Sequence, residues 1–477
     1  MRLRTVAALA LAGMLLSSAT VYSLTPPPAK PVVAAAVPEE VTAPVVPAPQ
    51  IASSFDAGTT LRVGGRVGHP RLLRGSSGET FVLLEVRAGE GEAVARAGSS
   101  HLAIVIDRSG SMKGDRIQNA IAGAVEAVDH LGDGDLVSVV TFDTTVTDVV
   151  RSIALGPGTR EQIKANIRGI KLGGDTCISC GLEEGLRELG TQRGYVDRMI
   201  LLSDGEATAG VRDLAGLRAI AERARAQGVS VTTIGVGVDY NQKVLGGIAL
   251  QAGGQHYFVE NTASLARVFQ AEADQLRATV ARETTASITL GEGVELTSVA
   301  DRTFERRGKR VLVPLGSFAR QEEKTVLLRV RVPTSLEGRL PVASVSLDYT
   351  DLVEGKPGRC EGKLEALVGA DQAEIDAVVE GRVERSRTAT ALLEANDLIE
   401  QGRVDEARRR LATRQVELAA SASAAASAAP LNRKSDVSRD FESQAGALST
   451  AAAAAAAPRP APRSVRRNQE MANPFRM

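Results

Sequence analysis

Between residues 101 and 276, short apolar runs alternate with segments whose apolar residues recur every three to four positions. This alternation constrains the fold more than any other feature of the chain. The runs 101–107, 136–142, 198–203 and 230–236 read as strands buried on both faces. A weaker run near 256–259 predicts another strand, and 146–153 predicts one at an edge. Between them, Ile117, Ile121, Val125, Val128 and Leu131 share one face of a helix over 115–131. Ile178, Leu182, Leu186 and Leu189 do the same over 177–189. Further helices are expected at 159–170, around Leu214–Ala224, near 242–251 and near 265–276. Strands alternating with helices predict an α/β fold, a doubly wound and mostly parallel sheet.

The flanks have a period of two. Val82, Leu84 and Val86 precede the α/β unit; Val326, Leu328, Val330 and Val332, then Ala343, Val345, Leu347 and Tyr349, follow it. These are half-buried antiparallel strands. The simplest assembly is one β-sandwich from residues 58–99 and 281–369, with the α/β unit (100–280) inserted. Two unrelated β pieces are the alternative. Residues 370–420 predict a helical hairpin turning at Gly402.

Arg2 and Arg4 precede the apolar run 6–16, so residues 1–24 read as a signal peptide or a membrane anchor. Either places the bulk of the chain outside the cytoplasm. Residues 25–57 are a Pro/Ala-rich linker, and 421–477 an Ala-rich tail expected to be disordered, with local helix at its alanine run. The 57 acidic and 57 basic residues balance, and Trp is absent, which argues against nucleic acid as a partner.

Oxygen donors gather where the parallel strands end. Asp107, Ser109 and Ser111 follow the first strand; Gly173-Gly174-Asp175-Thr176 precedes a helix; Ser203-Asp204-Gly205 follows another strand. Each piece alone is ordinary turn and cap chemistry. In this order, at the ends where open α/β sheets bind ligands, they predict one site. Hydroxyls and carboxylates without His or Cys suit a hard cation, Mg2+ first, with Mn2+ or Ca2+ as alternatives.

The loops DRSGS, GGDT and SDGE resemble those of von Willebrand factor A domains with a metal-ion-dependent adhesion site. The resemblance covers roughly residues 101–278. It implies Ser109, Ser111 and Thr176 as direct ligands, with Asp107 and Asp204 bound directly or through water. It also implies a protein partner whose Asp or Glu completes the coordination. The flanking strands and downstream helices are similar to bacterial exported relatives of inter-α-trypsin inhibitor heavy chains. Asp175 stands where a small residue is usual in the family, and is expected to cap the following helix, with electrostatic tuning of the site as the alternative.

Cys177 and Cys180 open that helix as a CxxC. In an oxidising compartment a local structural disulfide is expected, with redox control of binding as the alternative. Cys360 lies in what reads as a polar loop, able to pair with another chain. The expected function is metal-dependent protein binding of the adhesion type, not catalysis: no phosphate loop appears, and Ser109 has no neighbouring His in sequence. The alternatives are an envelope scaffold acting through the hairpin and tail, or a CxxC thiol-redox enzyme.

Overall fold

The computed structural model describes residues 51–456, except 90–99, 193, 205, 238–239, 260–262, 430 and 432. Four strands come first: β1 (Ser54–Gly58), β2 (Leu61–Val67), β3 (Arg71–Leu73) and β4 (Glu79–Ala88). The α/β unit runs β5 (Ser100–Asp107), α1 (Asp115–His130), β6 (Leu136–Phe142), β7 (Val146–Ala154), α2 (Arg160–Arg168), α3 (Ile178–Leu189) and β8 (Val196–Ser203). It continues with α4 (Leu214–Ala226), β9 (Ser230–Val236), α5 (Gln242–Ala252), β10 (His256–Val259) and α6 (Ala263–Arg277). Then come β11 (Thr279–Leu290), β12 (Glu295–Val299), β13 (Glu305–Arg307), β14 (Arg310–Ala319), β15 (Glu323–Arg331), β16 (Gly338–Asp351) and β17 (Lys356–Gly369). The helices α7 (Ala377–Glu400), α8 (Val404–Ala428) and α9 (Lys434–Ala456) close the described chain.

The α/β sheet has the order β10-β9-β8-β5-β6-β7, parallel throughout except for β7, which pairs antiparallel at the edge. Every residue of β5 is buried. Leu102, Ile104 and Ile106 pack with α1 and α6, through Ile117, Leu265 and Phe269. Ala103 and Val105 point the other way, to Ile178, Leu182, Leu217 and Ile248 of α3, α4 and α5. Each large side chain so buried contributes about 1.5–3 kcal/mol. That two-sided burial fixes the register of β5, and with it the position of Asp107 at the strand's end.

The β strands form one sandwich across the insertion. One sheet is β1-β2-β4-β15-β12 and the other β13-β14-β11-β16-β17-β3. β4, before the α/β unit, pairs antiparallel with β15, after it, setting Leu84 opposite Val326. Val82, Leu84, Val86, Ile288, Val313, Val326, Leu328 and Leu347 share the core between the sheets.

Three expectations need correction. The linker does not run to residue 57, because Ser54–Gly58 is already β1, paired with β2. Residues 421–456 are not a disordered tail. They complete α8 and form α9, so the hairpin becomes a three-helix bundle. Small side chains (Ala425, Ala447, Ala451, Ala455) allow close helix approach, and Phe441 and Leu448 supply the apolar area. The bundle covers Leu83 and Leu327 on the outer face of the sandwich, where Arg382 bridges Glu85 and Glu323 at 3.1 and 2.6 Å. Cys360 is not in a loop: it lies on β17, 4% exposed, and its thiol donates to the Leu61 carbonyl. Pairing with another chain would require opening the sandwich. The leader at 1–24, the linker to residue 50 and the basic end at 457–477 lie outside the described residues.

Candidate metal centre

The strand order reverses beside β5. The chain builds outward through β6 and β7, then returns to place β8 on the other side of β5. The carboxyl ends of β5 and β8 flank this switch point, where open parallel sheets bind ligands. Asp107 ends β5 and Ser203 ends β8.

Asp107 is fully buried. The Ser109 N–H donates to its Oδ1 at 2.8 Å, and the Ser203 hydroxyl to its Oδ2 at 2.6 Å. Burial pushes the carboxyl up to about 6; the hydrogen bonds from Ser109 and Ser203 oppose this, and the charge of Asp204 adds to it. Ser109 Oγ lies 3.0 Å from Ser111 Oγ, and Ser111 Oγ donates to Asp204 Oδ1 at 2.7 Å. The turn Gly110–Met112 is held down by the fully buried Met112. Neither serine caps α1, whose N-cap is Gly114; their hydroxyls bond within the site instead.

The second loop is stapled to the first. The Gly173 N–H donates to the Arg108 carbonyl at 2.7 Å, and the Gly110 N–H to the Gly174 carbonyl at 3.0 Å. A Cβ on Gly173 would lie 1.7 Å from Asp143 Oδ2, so only glycine fits there. Thr176 is buried; its N–H donates to Thr208 Oγ1 at 2.9 Å, and its carbonyl accepts from the Thr208 and Ala209 N–H groups. Asp175 does not cap α3. It is exposed, and the N-cap position belongs to Cys177. A disulfide joins Cys177 to Cys180 in the first turn.

Sequence reasoning missed two residues here. Asp143, just after β6, accepts from the N–H groups of Thr145 and Gly174 and pairs with Arg108 at 3.1 Å. Burial pushes its carboxyl up, but those hydrogen bonds and the charge of Arg108 outweigh burial and hold it below its ordinary value. Asp-Thr-Thr after a strand is an Asx-turn signature and could have marked it. Arg116, in the first turn of α1, bonds to Asp204 Oδ2 and, at 3.3 Å, to the Ser111 carbonyl. No local signal marks that contact.

The donor set fits a small hard cation. In an octahedron with bonds of about 2.0–2.1 Å, neighbouring ligands lie about 2.8–3.0 Å apart. The Ser109–Ser111 spacing matches such an edge. Ser109, Ser111 and Thr176 offer neutral oxygens, and Asp107 and Asp204 offer charged ones. A second acidic group, Asp148, Glu184 and Glu188, lies on the β7–α3 side. There Arg187 already pairs with Asp148 at 3.1 Å and Glu188 at 2.7 Å, supplying the positive charge.

Residues 101–271 match the family described as von Willebrand factor type A domain. The inserted unit is a von Willebrand factor type A domain. The whole described architecture is similar to a solved von Willebrand factor type A protein from Catenulispora acidiphila, with a TM-score of 0.68 and 18% identity, covering 89% of this chain and 98% of that one. At that identity the likeness establishes the fold. An uncharacterized Synechocystis protein is 27% identical, over 54% of this chain and 63% of its own length. Human inter-alpha-trypsin inhibitor heavy chain H4 is 27% identical, over 32% of this chain and 17% of its own. The chain thus spans less than two thirds of the length of these relatives.

Proposed function

We propose that this chain is a divalent-cation-dependent protein-binding module acting outside the cytoplasm. Mg2+, or Mn2+ or Ca2+ in its place, is held by Ser109, Ser111 and Thr176, with Asp107 and Asp204 bound directly or through water. An Asp or Glu of a protein partner completes the shell. The observation that carries this reading is the meeting of Ser109, Ser111 and Asp204 side chains, at 3.0 and 2.7 Å, over the switch point of the sheet. Neutral hydroxyl ligands leave the ion most of its charge, and so its attraction for an external carboxylate.

The proposal is of binding and not catalysis. The histidines engage other groups: His69 with Thr80, His101 with Ser152, His130 with the Glu126 carbonyl, His256 with Thr233 and Tyr240. This supports reading the serines as ligands and not as nucleophiles. Placement outside the cytoplasm is supported by the apolar leader after Arg2 and Arg4 and by the Cys177–Cys180 disulfide. Among the described residues no helix is long and apolar enough to cross a membrane.

A calorimetric titration with Mg2+ tests the metal, and capture of partners from envelope extract with and without chelator tests the coupling. Wild type should bind one ion per chain, and Asp107→Ala none. Capture should vanish with chelator and in Asp107→Ala. Capture that survives both would overturn the reading. One observation favours a scaffold instead: an apolar groove of about 410 Å³ between α8 and α9, lined by Leu418, Ala422, Val437 and Phe441. Loss of capture in Phe441→Ser with Mg2+ binding intact would select it.

A further inference from the structure

The Arg116 guanidinium occupies a built place. Its side chain is one third exposed, while that of Asp204, which it grips, is fully buried. It reaches Asp204 Oδ2 on one side and the Ser111 carbonyl on the other. Below it lies Gly237, just past the end of β9, with φ at +82°. A Cβ there would fall 2.8 Å from the guanidinium Nη2. The glycine is called for by its backbone conformation, and the guanidinium lies close over it. The other carboxylate oxygen, Asp204 Oδ1, receives the Ser111 hydroxyl.

We propose that Arg116 is a positioning residue that sets the charge of the loaded site, weakening its hold on the bare cation and strengthening its demand for a carboxylate. The inference rests on the metal-binding reading above. Its physical basis is a charge count over the charged groups of one cluster, in which Arg116 touches Asp204 directly and Asp107 is linked to Asp204 through Ser109 and Ser111. Asp107 and Asp204 are the carboxylates and Arg116 the guanidinium. A divalent ion among these three leaves the cluster with a net positive charge. Without Arg116 the same ion would be neutralised by the two aspartates. A cationic cluster attracts an anion, and its half-buried setting screens that attraction less than open water would. The exposed third of the guanidinium also offers donors to the second oxygen of an incoming carboxylate.

The test is titration of the full chain with MgCl2 at low ionic strength, in the absence of any partner, for wild type, Arg116→Gln and Arg116→Lys. A capped peptide containing one glutamate is then titrated onto each Mg2+-loaded protein. Arg116→Gln is expected to bind Mg2+ about tenfold tighter or more, since a nearby positive charge has been removed. It should bind the glutamate peptide correspondingly more weakly. Arg116→Lys keeps the charge and should stay near wild type in both. If Arg116→Gln does not fold, Arg116→Met, which keeps the aliphatic stem, replaces it under the same expectations. Mg2+ affinity that is unchanged or weaker in the neutral variant, with an intact thermal transition, would overturn the inference and make Arg116 a brace for Asp204. Wild type that takes up no Mg2+ would instead end the functional reading, and this inference with it.

Discussion

Ser203 donates its hydroxyl to Asp107 across the ends of β8 and β5, at 2.6 Å, with both residues fully buried. The bond ties together the two strands that flank the switch point. It also turns the Asp107 carboxylate so that its other oxygen receives the Ser109 N–H.

Ser203→Ala is therefore expected to weaken Mg2+ binding about 10- to 100-fold, the usual effect of removing a group that orients a ligand. The fold should survive, because Ser203 stays in register on β8. Calorimetry on wild type and variant measures this. Equal affinities would mean that the Ser109 N–H alone orients Asp107.

The parts legible in the sequence were those set by period and by loop chemistry. The uniform burial of residues 101–107, the stripe Ile178-Leu182-Leu186-Leu189 and the alternation Val82-Leu84-Val86 each gave the correct element. The oxygens of Ser109, Ser111 and Asp204 were readable because their loops follow strands. What escaped depends on packing at a distance. Residues 434–456 look too small-sided to fold, yet alanines suit helices that approach closely once Phe441 and Leu448 have neighbours. Cys360 sits in polar surroundings by sequence, but the sandwich core takes alternate residues of β17. Arg116 meets Asp204 from 88 residues away, and nothing local announces it.

His101 and Asp197 give a pH prediction. They lie at the amino end of the sheet, with His101 Nδ1 3.6 Å from Asp197 Oδ1 and His101 Nε2 3.1 Å from Ser152 Oγ. Burial lowers His101 to about 4. Burial also raises Asp197 to about 7, against the pull of Arg282, with Glu283 adding to the rise. Between pH 4 and the ordinary His value of 6.5, the folded protein lacks the His proton and holds the Asp proton. The unfolded chain does the reverse, so the two stability slopes cancel. Asp197→Asn leaves only His101, and stability should then rise with pH across that window. His101→Gln leaves only Asp197, and stability should fall as pH rises from about 4 to about 7. Urea unfolding at stepped pH reads both; slopes of the same sign in the two variants would mean that burial does not shift the two groups in these opposing directions.

The Cys177–Cys180 disulfide closes a very short loop, for which chain entropy gives about 2 kcal/mol of stabilisation. The double variant Cys177→Ser, Cys180→Ser should lose about that much. Its Mg2+ affinity should hold, because Thr176 is fixed independently through Thr208 and Ala209. Thermal melts and calorimetry, each with and without mild reductant, check both parts. Weaker Mg2+ binding on reduction would identify redox control instead.

Arg414 tests what holds the three-helix bundle together. It is 1% exposed and pairs with Glu384, itself 2% exposed, while donating to the Glu384 carbonyl at 3.0 Å and to Thr388 Oγ1 at 3.2 Å. Thr388 donates to Gln444 Oε1, and Gln444 Nε2 donates to the Gly381 carbonyl, so one polar chain spans α7, α8 and α9. Removing one member of a buried pair leaves the other charge without compensation, at about 3–5 kcal/mol. Here the more exposed Arg387 also reaches Glu384, at 2.7 Å, so Arg414→Met should fall near the lower end, about 3 kcal/mol. Adding Glu384→Leu should restore much of that loss, since a well-packed apolar pair often replaces a buried ion pair without penalty. Urea unfolding of the single and double variants measures the coupling. A single variant as stable as wild type would mean that Arg387 alone satisfies Glu384.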